Sequence, residues 1–254
     1  MTVLYLSWII PTYNEEERIA KTVREVDGYL KSKNFADRYE IIVVDSASGD
    51  RTAERVKTLA AVTPALGLVS VQNRGKGWAV KQGMLSASGD IRIFSDADNS
   101  VSPDQCDRFL PIVCGGGDRQ ECFDVVIGSI EAEGAAIEEH AQWYRRSLGK
   151  LSKYVIRVGA DLWEIRDTQR GFKMFSRRAA ERIFPQQTIT GWGFDIEILL
   201  IAKRNGLRIH EVPVRWVNPG DSKVSIGAYA STFKELVEIK RNDLQGLYGT
   251  SGRS

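Results

Sequence analysis

The sequence predicts an α/β fold: a mostly parallel central sheet with helices on both faces. Three observations carry that prediction. Short apolar runs alternate with segments of helical periodicity through the first half of the chain, the connections between them are short, and polar or acidic residues recur at the carboxyl end of one run after another. In open α/β sheets that edge is where ligands bind.

Val3 to Ile10 reads as the first strand, stopped by Pro11. Asn14 then offers a cap for a helix whose first turn carries Glu15, Glu16 and Glu17. Ile19, Val23, Val26 and Leu30 supply its apolar stripe, and Lys31 and Lys33 lie near the negative end of its dipole. Tyr39 to Val44 is the second strand, closed by Asp45. Asp50 caps a helix through Val62, and Leu66 to Val71 forms the third strand. Gly75-Lys76-Gly77 opens the next helix, Ile91 to Ser95 is the fourth strand, and Asp124 to Gly128 is the fifth, after a glycine-rich loop. Near the carboxyl end, Ala228 to Leu247 suits an amphipathic helix, with Phe233, Leu236, Val237, Leu244 and Leu247 interleaved with Lys234, Lys240 and Arg241. Glu235, Glu238 and Asp243 dilute its basic face, so packing against the body is favoured over membrane contact.

A chain of 254 residues with 43% apolar and 27% charged content is long enough for a sizeable core and ordinary for a globular protein. Lys and Arg number 35 against 33 Asp and Glu, a balance that gives no reason to invoke nucleic acid. No apolar stretch approaches the roughly 20 residues needed to cross a bilayer, and no signal-peptide pattern opens the sequence. Cys106, Cys114 and Cys122 recur at eight-residue gaps without a Cys-x-x-Cys pair, which argues against a disulfide framework or a zinc site and for a reduced, cytoplasmic protein. His140 and His210 are the only histidines, so histidine-based metal or triad chemistry is poorly supplied, and His210 reads as structural.

The sharpest chemical feature is Asp96-Ala97-Asp98 at the end of the fourth strand. Extended backbone sends residues two apart to the same side, so both acids can face one point just past the strand, where Mg²⁺ or Mn²⁺ fits their hard oxygens. An acidic turn is the plainer alternative. Asp45 can accept a hydrogen bond from a nucleobase ring N–H, or cap the turn that follows. Lys76, between two glycines, can reach a phosphate, or stand as a solvated loop charge. Their common edge, shared with Pro11 to Glu15, strengthens the ligand reading for all of them.

These residues, read together as Ile10-Pro11-Thr12-Tyr13-Asn14-Glu15, Ile41-Ile42-Val43-Val44-Asp45, Asn73-Arg74-Gly75-Lys76-Gly77 and Asp96-Ala97-Asp98, resemble glycosyltransferase family 2. More narrowly, Trp143-Tyr144-Arg145-Arg146, Asp167 to Lys173, Trp192 to Glu197, Glu211-Val212-Pro213-Val214 and Gly220 to Val224 resemble the dolichyl-phosphate β-glucosyltransferases and their prokaryotic relatives. The resemblance implies a GT-A fold, with a Rossmann-like central sheet over residues 1–225 and a carboxyl-terminal helix and tail over residues 226–254. It also implies inverting transfer of a hexose from a nucleotide diphosphate, UDP-glucose being favoured over GDP-mannose, to a polyprenyl or dolichyl monophosphate. In this reading Pro11, Tyr13, Glu15, Asp45, Lys76 and Ala97 line the nucleotide-sugar pocket. Asp96 and Asp98 bracket metal and donor, and Arg145, Arg146, Arg170 and Lys173 are candidate partners of the acceptor phosphate, where Arg gives two-point contact. The protein is then expected in the cytoplasm, with peripheral attachment to the cytoplasmic face of a membrane left open and lipid access coming from a surface helix or a partner.

Departures from the family pattern are also visible. Ser46 and Ala47 follow Asp45 where relatives often carry a second Asp and Gly-Ser, and Arg170 stands where a small residue such as Cys is usual. The Gln-x-x-Arg-Trp signature of processive synthases is absent. Two alternatives stay open: transfer to a hydroxyl acceptor with Asp195 as catalytic base, and a noncatalytic nucleotide-sugar binding protein.

Overall fold

The computed structural model describes residues 6–33, 35, 38–114, 122–138, 160–217 and 226–249. Its first half follows the predicted alternation: β1 (Leu6–Thr12), α1 (Ile19–Ser32), β2 (Tyr39–Ser46), α2 (Thr52–Ala60), β3 (Leu66–Val71), α3 (Lys76–Ser86) and β4 (Ile91–Ser95). A 3₁₀ turn (Pro103–Arg108), β5 (Val125–Ser129) and β6 (Ala136–Glu138) come next. After them lie β7 (Phe172–Ser176), α4 (Arg177–Ile183), α5 (Phe194–Arg204), β8 (Ile209–Pro213), β9 (Arg215–Val217) and α6 (Ile226–Leu244).

The main sheet has seven strands in the order β3-β2-β1-β4-β7-β5-β8. All neighbours are parallel except β7, which runs antiparallel to both β4 and β5. A second, two-stranded sheet pairs β6 with β9. The inner strands β1, β2, β4 and β5 are nearly continuous apolar runs because both sheet faces are covered there. Trp8, Ile10, Ile41 and Val43 point to one apolar layer with Ile19, Val23 and Val56, while Ile9, Ile42, Val44 and Phe94 point to the other with Val80, Phe194 and Leu199. Alternation along β1, β2 and β4 therefore sorts consecutive apolar residues into two cores, with α1 and α2 over one face and α3, α4 and α5 over the other.

Three local expectations need correction. β1 continues through Pro11 to Thr12, since Pro11 is parallel-paired only on the β2 side and the β4 pairing ends at Ile9. α1 opens at Ile19, not after Asn14. Asn14 has φ 53°, donates its N–H to Ser48 Oγ at 2.9 Å and accepts from the Gly49 N–H at 2.8 Å, so its side chain ties two loops together rather than starting a helix. Cys114 and Cys122, expected to be reduced, form a disulfide with Cα atoms 5.0 Å apart. The bridge between Val113 and Phe123, with the Cys114 N–H donating to the Phe123 carbonyl, brings the two thiols across from each other, which the eight-residue spacing did not reveal. Cys106 is free and buried. His210 is exposed and stacks on Phe123, in keeping with a structural part.

The carboxyl-terminal helix packs on the body, as expected from its apolar residues. Leu236 and Ile239 of α6 join the same core as Phe94, and Asn242 donates to Thr188 and to Tyr248. The Tyr248 hydroxyl in turn donates to buried Glu197 of α5, whose carboxylate also accepts the Thr188 and Ile189 N–H groups. Among the described residues no helix is long and apolar enough to cross a membrane.

Candidate active site

Four loops at the carboxyl ends of β1, β2, β3 and β4 converge as the sequence predicts. The first two are laced together: the Glu15 N–H donates to Thr52 Oγ1, the Glu16 N–H to Asp50, and the Glu16 carboxylate accepts from the Arg51 N–H. Asp50 also accepts from the Thr52 N–H, but it stands one residue before the N-cap of α2, Arg51, which makes no side-chain cap, so the expected Asp50 cap is displaced by one position. Ser46 joins the second and third loops, donating to the Asn73 carbonyl and accepting from the Gly75 N–H. This lacing holds Tyr13, Asp45 and Arg74 in one region. The Arg74 guanidinium lies 5.0 Å from the Tyr13 ring centre. Asp45 is buried, and while its Oδ2 accepts weakly from the Ser48 N–H at 3.4 Å, its Oδ1 has no hydrogen-bond partner. A buried carboxylate oxygen left unpaired is costly, so Asp45 Oδ1 is a candidate position for a ligand donor.

Glycines set the centre of the site. Gly75 has φ 138°, and a side chain there would run into the Thr190 carbonyl, while one on Gly77 would meet Phe194 and the backbone of Ile189 and Gly191. Their absence lets the start of α3 lie against the loop before α5 and turns Lys76 inward. Lys76 Nζ is 2.6 Å from Asp96 Oδ1 and 5.5 Å from the Trp192 ring centre. Burial works against its charge, but Asp96, Asp195 and Asp98 outweigh that effect and hold its pKa above the ordinary lysine value. Gly171 is equally constrained: its carbonyl accepts from the Asp96 N–H, and a Cβ there would collide with the Asp96 carboxylate. Asp98 turns one oxygen to the Ser100 N–H, and Ala97, buried between the two acids, presents its carbonyl to Thr22 Oγ1.

The carboxylates of Asp96 and Asp98 are of the hard-oxygen kind that suits Mg²⁺ or Mn²⁺, but β4 ends at Ser95 and Asp98 lies in the turn that follows, so extended alternation does not set their relative placement. Among the described residues no third His, Cys, Asp or Glu joins them in a metal-holding group. Two carboxylates fit a cation whose remaining positions are filled by water and substrate phosphate.

The other side of the centre is organised differently. Lys173, on antiparallel β7, is fully buried and donates to Asp195 Oδ1 and to the Arg170 carbonyl, each at 2.5 Å. Burial pushes the Asp195 carboxyl up and the Lys173 amine down, each opposed by the charge of the other. Arg170, with its side chain 21% exposed, pairs with buried Asp167 at 3.4 Å and lies 5.0 Å from the Trp216 ring centre. Of the four candidate acceptor-phosphate residues, Arg170 faces accessible space and Lys173 lies beneath it, held by Asp195. Arg145 and Arg146 lie outside the described residues. Pro11 is buried within β1, and Glu15 lies 3.9 Å from Arg18. The roles of Arg74, Trp216 and Glu197 were not anticipated from sequence; the Arg74 signal was its place beside Gly75-Lys76-Gly77 on the ligand edge.

Comparison with known proteins agrees with this architecture. The sequence profile of Glycosyl transferase family 2 matches residues 7–184. A dolichyl-phosphate beta-glucosyltransferase of Trichomonas vaginalis is 35% identical over 249 residues, covering 96% of this chain and 73% of that protein. The Homo sapiens protein of the same description is 31% identical over 265 residues, covering 96% and 77%. Among solved structures, Mycobacterium tuberculosis glucosyl-3-phosphoglycerate synthase in complex with Mn²⁺, UDP and glucosyl-3-phosphoglycerate aligns over 98% of this chain and 81% of that one, with a TM-score of 0.64 at 21% identity. A mannosyltransferase from Pyrobaculum calidifontis in complex with GDP-Man and Mn²⁺ aligns over 95% and 64%, with a TM-score of 0.59 at 21% identity. The fold is that of the GT-A glycosyltransferases, and the chain belongs to glycosyl transferase family 2 as an enzyme similar to the dolichyl-phosphate beta-glucosyltransferases.

Proposed function

We propose that the chain transfers glucose from UDP-glucose to a polyprenyl or dolichyl monophosphate, with inversion at the anomeric carbon. The names of the relatives at 30–35% identity support the acceptor class and the sugar. The observation that carries the reading is the Lys173–Asp195 pair. A hydroxyl acceptor needs a base, and the carboxylate best placed by sequence to be one is buried and already held by an ammonium group at 2.5 Å. A phosphate acceptor arrives as an anion and needs no base.

In this mechanism Asp45 Oδ1 accepts the ring N–H of the donor's uracil, and Tyr13 and Arg74 flank the base. Pro11 and Glu15 shape the same pocket from the end of β1 and the loop beyond it. Asp96 and Asp98 would hold Mg²⁺ or Mn²⁺, which would supply positive charge to the diphosphate. Lys76, released from Asp96, adds its charge to the same oxygens. An acceptor phosphate oxygen bonds to the anomeric carbon as the bond from that carbon to the diphosphate oxygen breaks, and the electron pair leaves with UDP. Arg170 orients the acceptor phosphate, and Lys173 fixes Asp195 and the Arg170 carbonyl beneath it.

The test is incubation of the purified chain with a short-chain polyprenyl phosphate, Mg²⁺ or Mn²⁺, and either UDP-glucose or GDP-mannose, with the glycolipid detected by mass spectrometry. A hexosylated lipid phosphate with UDP-glucose alone supports the reading. Product with GDP-mannose alone reassigns the donor, and sugar transfer only to a hydroxyl acceptor refutes the acceptor class.

A further inference from the structure

Helix α6 carries two apolar faces, and the body covers only one. Leu236 and Ile239 are buried in the core, whereas Phe233 is 49%, Val237 68% and Leu244 68% exposed. Spacings of four, seven and eleven residues set Phe233, Val237, Lys240 and Leu244 on a single outward face. Leu247, just past the helix, is also exposed.

The charges around this face are sorted. Exposed Lys234 and Arg241 border it along one side, with exposed Glu238 one turn from each, and Lys240 lies within it, so the basic groups outnumber the acid three to one. The acids of the helix are engaged or lie elsewhere: Glu235 accepts the Gly193 N–H at 2.6 Å, and Asp243 is paired with Arg204 at 2.7 Å. Glu238 is the remaining exposed acid, five positions from Phe233 and off the stripe. The outward face of α6 is therefore apolar and basic together, the combination that seats a helix at an anionic lipid surface.

Its position links it to the active site. Glu235, two residues from Phe233, fills the space that side chains on Gly191 and Gly193 would need, and between them Trp192 is 37% exposed with Lys76 5.5 Å from its ring centre. The stripe thus begins beside the loop whose Trp192 lies against Lys76.

We propose that the outward face of α6 is a docking surface for an anionic lipid bilayer, seated by Phe233, Val237 and Leu244 and held by Lys234, Lys240 and Arg241. This docking stands apart from the choice of donor sugar, because it is read by binding rather than turnover.

The experiment is co-sedimentation of the full chain with vesicles of phosphatidylcholine alone or of equimolar phosphatidylcholine and phosphatidylglycerol, with light scattering of the lipid-free protein and a thermal melt for each variant. The expected result is at least about tenfold tighter partitioning to the anionic vesicles, weakened by salt. The triple variant Phe233→Ser, Val237→Ser, Leu244→Ser should lose that binding without a change in melting temperature, since the three side chains face outward. A second variant, Lys234→Gln, Lys240→Gln, Arg241→Gln, should reduce binding to the level of neutral vesicles. Equal vesicle binding by the folded triple variant and its parent overturns the proposal. So does absence of vesicle binding by the parent, or a dimer of the parent that the triple variant abolishes, which would assign the stripe to a second copy of the chain.

Discussion

The two sides of the active-site centre handle charge in opposite ways. On the donor side, built from the ends of the parallel strands β1 to β4, a buried carboxylate oxygen of Asp45 is unpaired, and Lys76 reaches Asp96 in a pocket where its side chain is still 15% exposed. On the acceptor side, built on antiparallel β7 and α5, Lys173 and Asp195 neutralise each other out of contact with solvent. In the proposed function the first arrangement is completed by a ligand, whereas the second pairs its charges internally. A donor site has to exchange its internal partners for a nucleotide diphosphate and cation, whereas the platform under an anionic acceptor has to stay fixed and need not take a proton.

The largest effect that would break this contrast is on stability. Lys173→Met leaves the Asp195 carboxyl buried without its partner and is expected to cost about 3–5 kcal/mol, read as a lowered midpoint in urea unfolding. A loss below about 1 kcal/mol would mean that the pair is not the fixed element described. On the donor side, Asp98→Asn is expected to lower turnover about 10²–10³-fold at fixed metal concentration with an unchanged melting temperature, because it touches transition-state charge and not the core. Full activity in this variant with Mg²⁺ or Mn²⁺ would remove the metal assignment.

Smaller changes sharpen the donor pocket. Asp45→Asn replaces an acceptor oxygen with a partly donating amide, and the expected outcome is a rise in donor KM of about tenfold, the equivalent of one charge-assisted hydrogen bond, with turnover little changed. Initial-rate kinetics over a UDP-glucose series measure it. Arg74→Ala removes an exposed stacking contact worth about 0.5–1 kcal/mol, so donor KM should rise two- to fivefold, the smallest effect of the set. An unchanged KM in both variants would detach this region from nucleotide binding.

The same contrast explains what the sequence disclosed. Strands β3 and β4 match their predicted bounds, and β2 differs only by running on through Asp45 to Ser46; β2 and β4, covered on both faces, write their positions as nearly unbroken apolar runs. The donor residues sit at the ends of those runs, so strand order alone brings Tyr13, Asp45, Lys76 and Asp96 to one edge. Lys173 was harder to read. It lies between Phe172 and Met174 in a strand that inserts antiparallel between β4 and β5, and only that long-range pairing buries it beside Asp195. A lysine inside an apolar run was the available sign that its charge had to meet a buried partner. The disulfide escaped for a similar reason: the pairing of Val113 with Phe123, not the cysteine spacing, decides it. The Asn14 cap failed because local propensity was overridden by the second loop, whose Ser48 and Gly49 claim that residue.

The most direct test of the central claim compares Asp195→Asn with its parent on a polyprenyl phosphate and on a soluble hydroxyl acceptor, with melting temperatures recorded for both. Asn still accepts a hydrogen bond from Lys173 but no longer balances its charge, so the rates are read beside the melting temperatures. Transfer to the phosphate is expected to stay within about threefold of the parent. A loss of 10²-fold or more, the size expected for a missing general base, in a variant that melts with its parent would contradict it and make Asp195 the catalytic base of this enzyme.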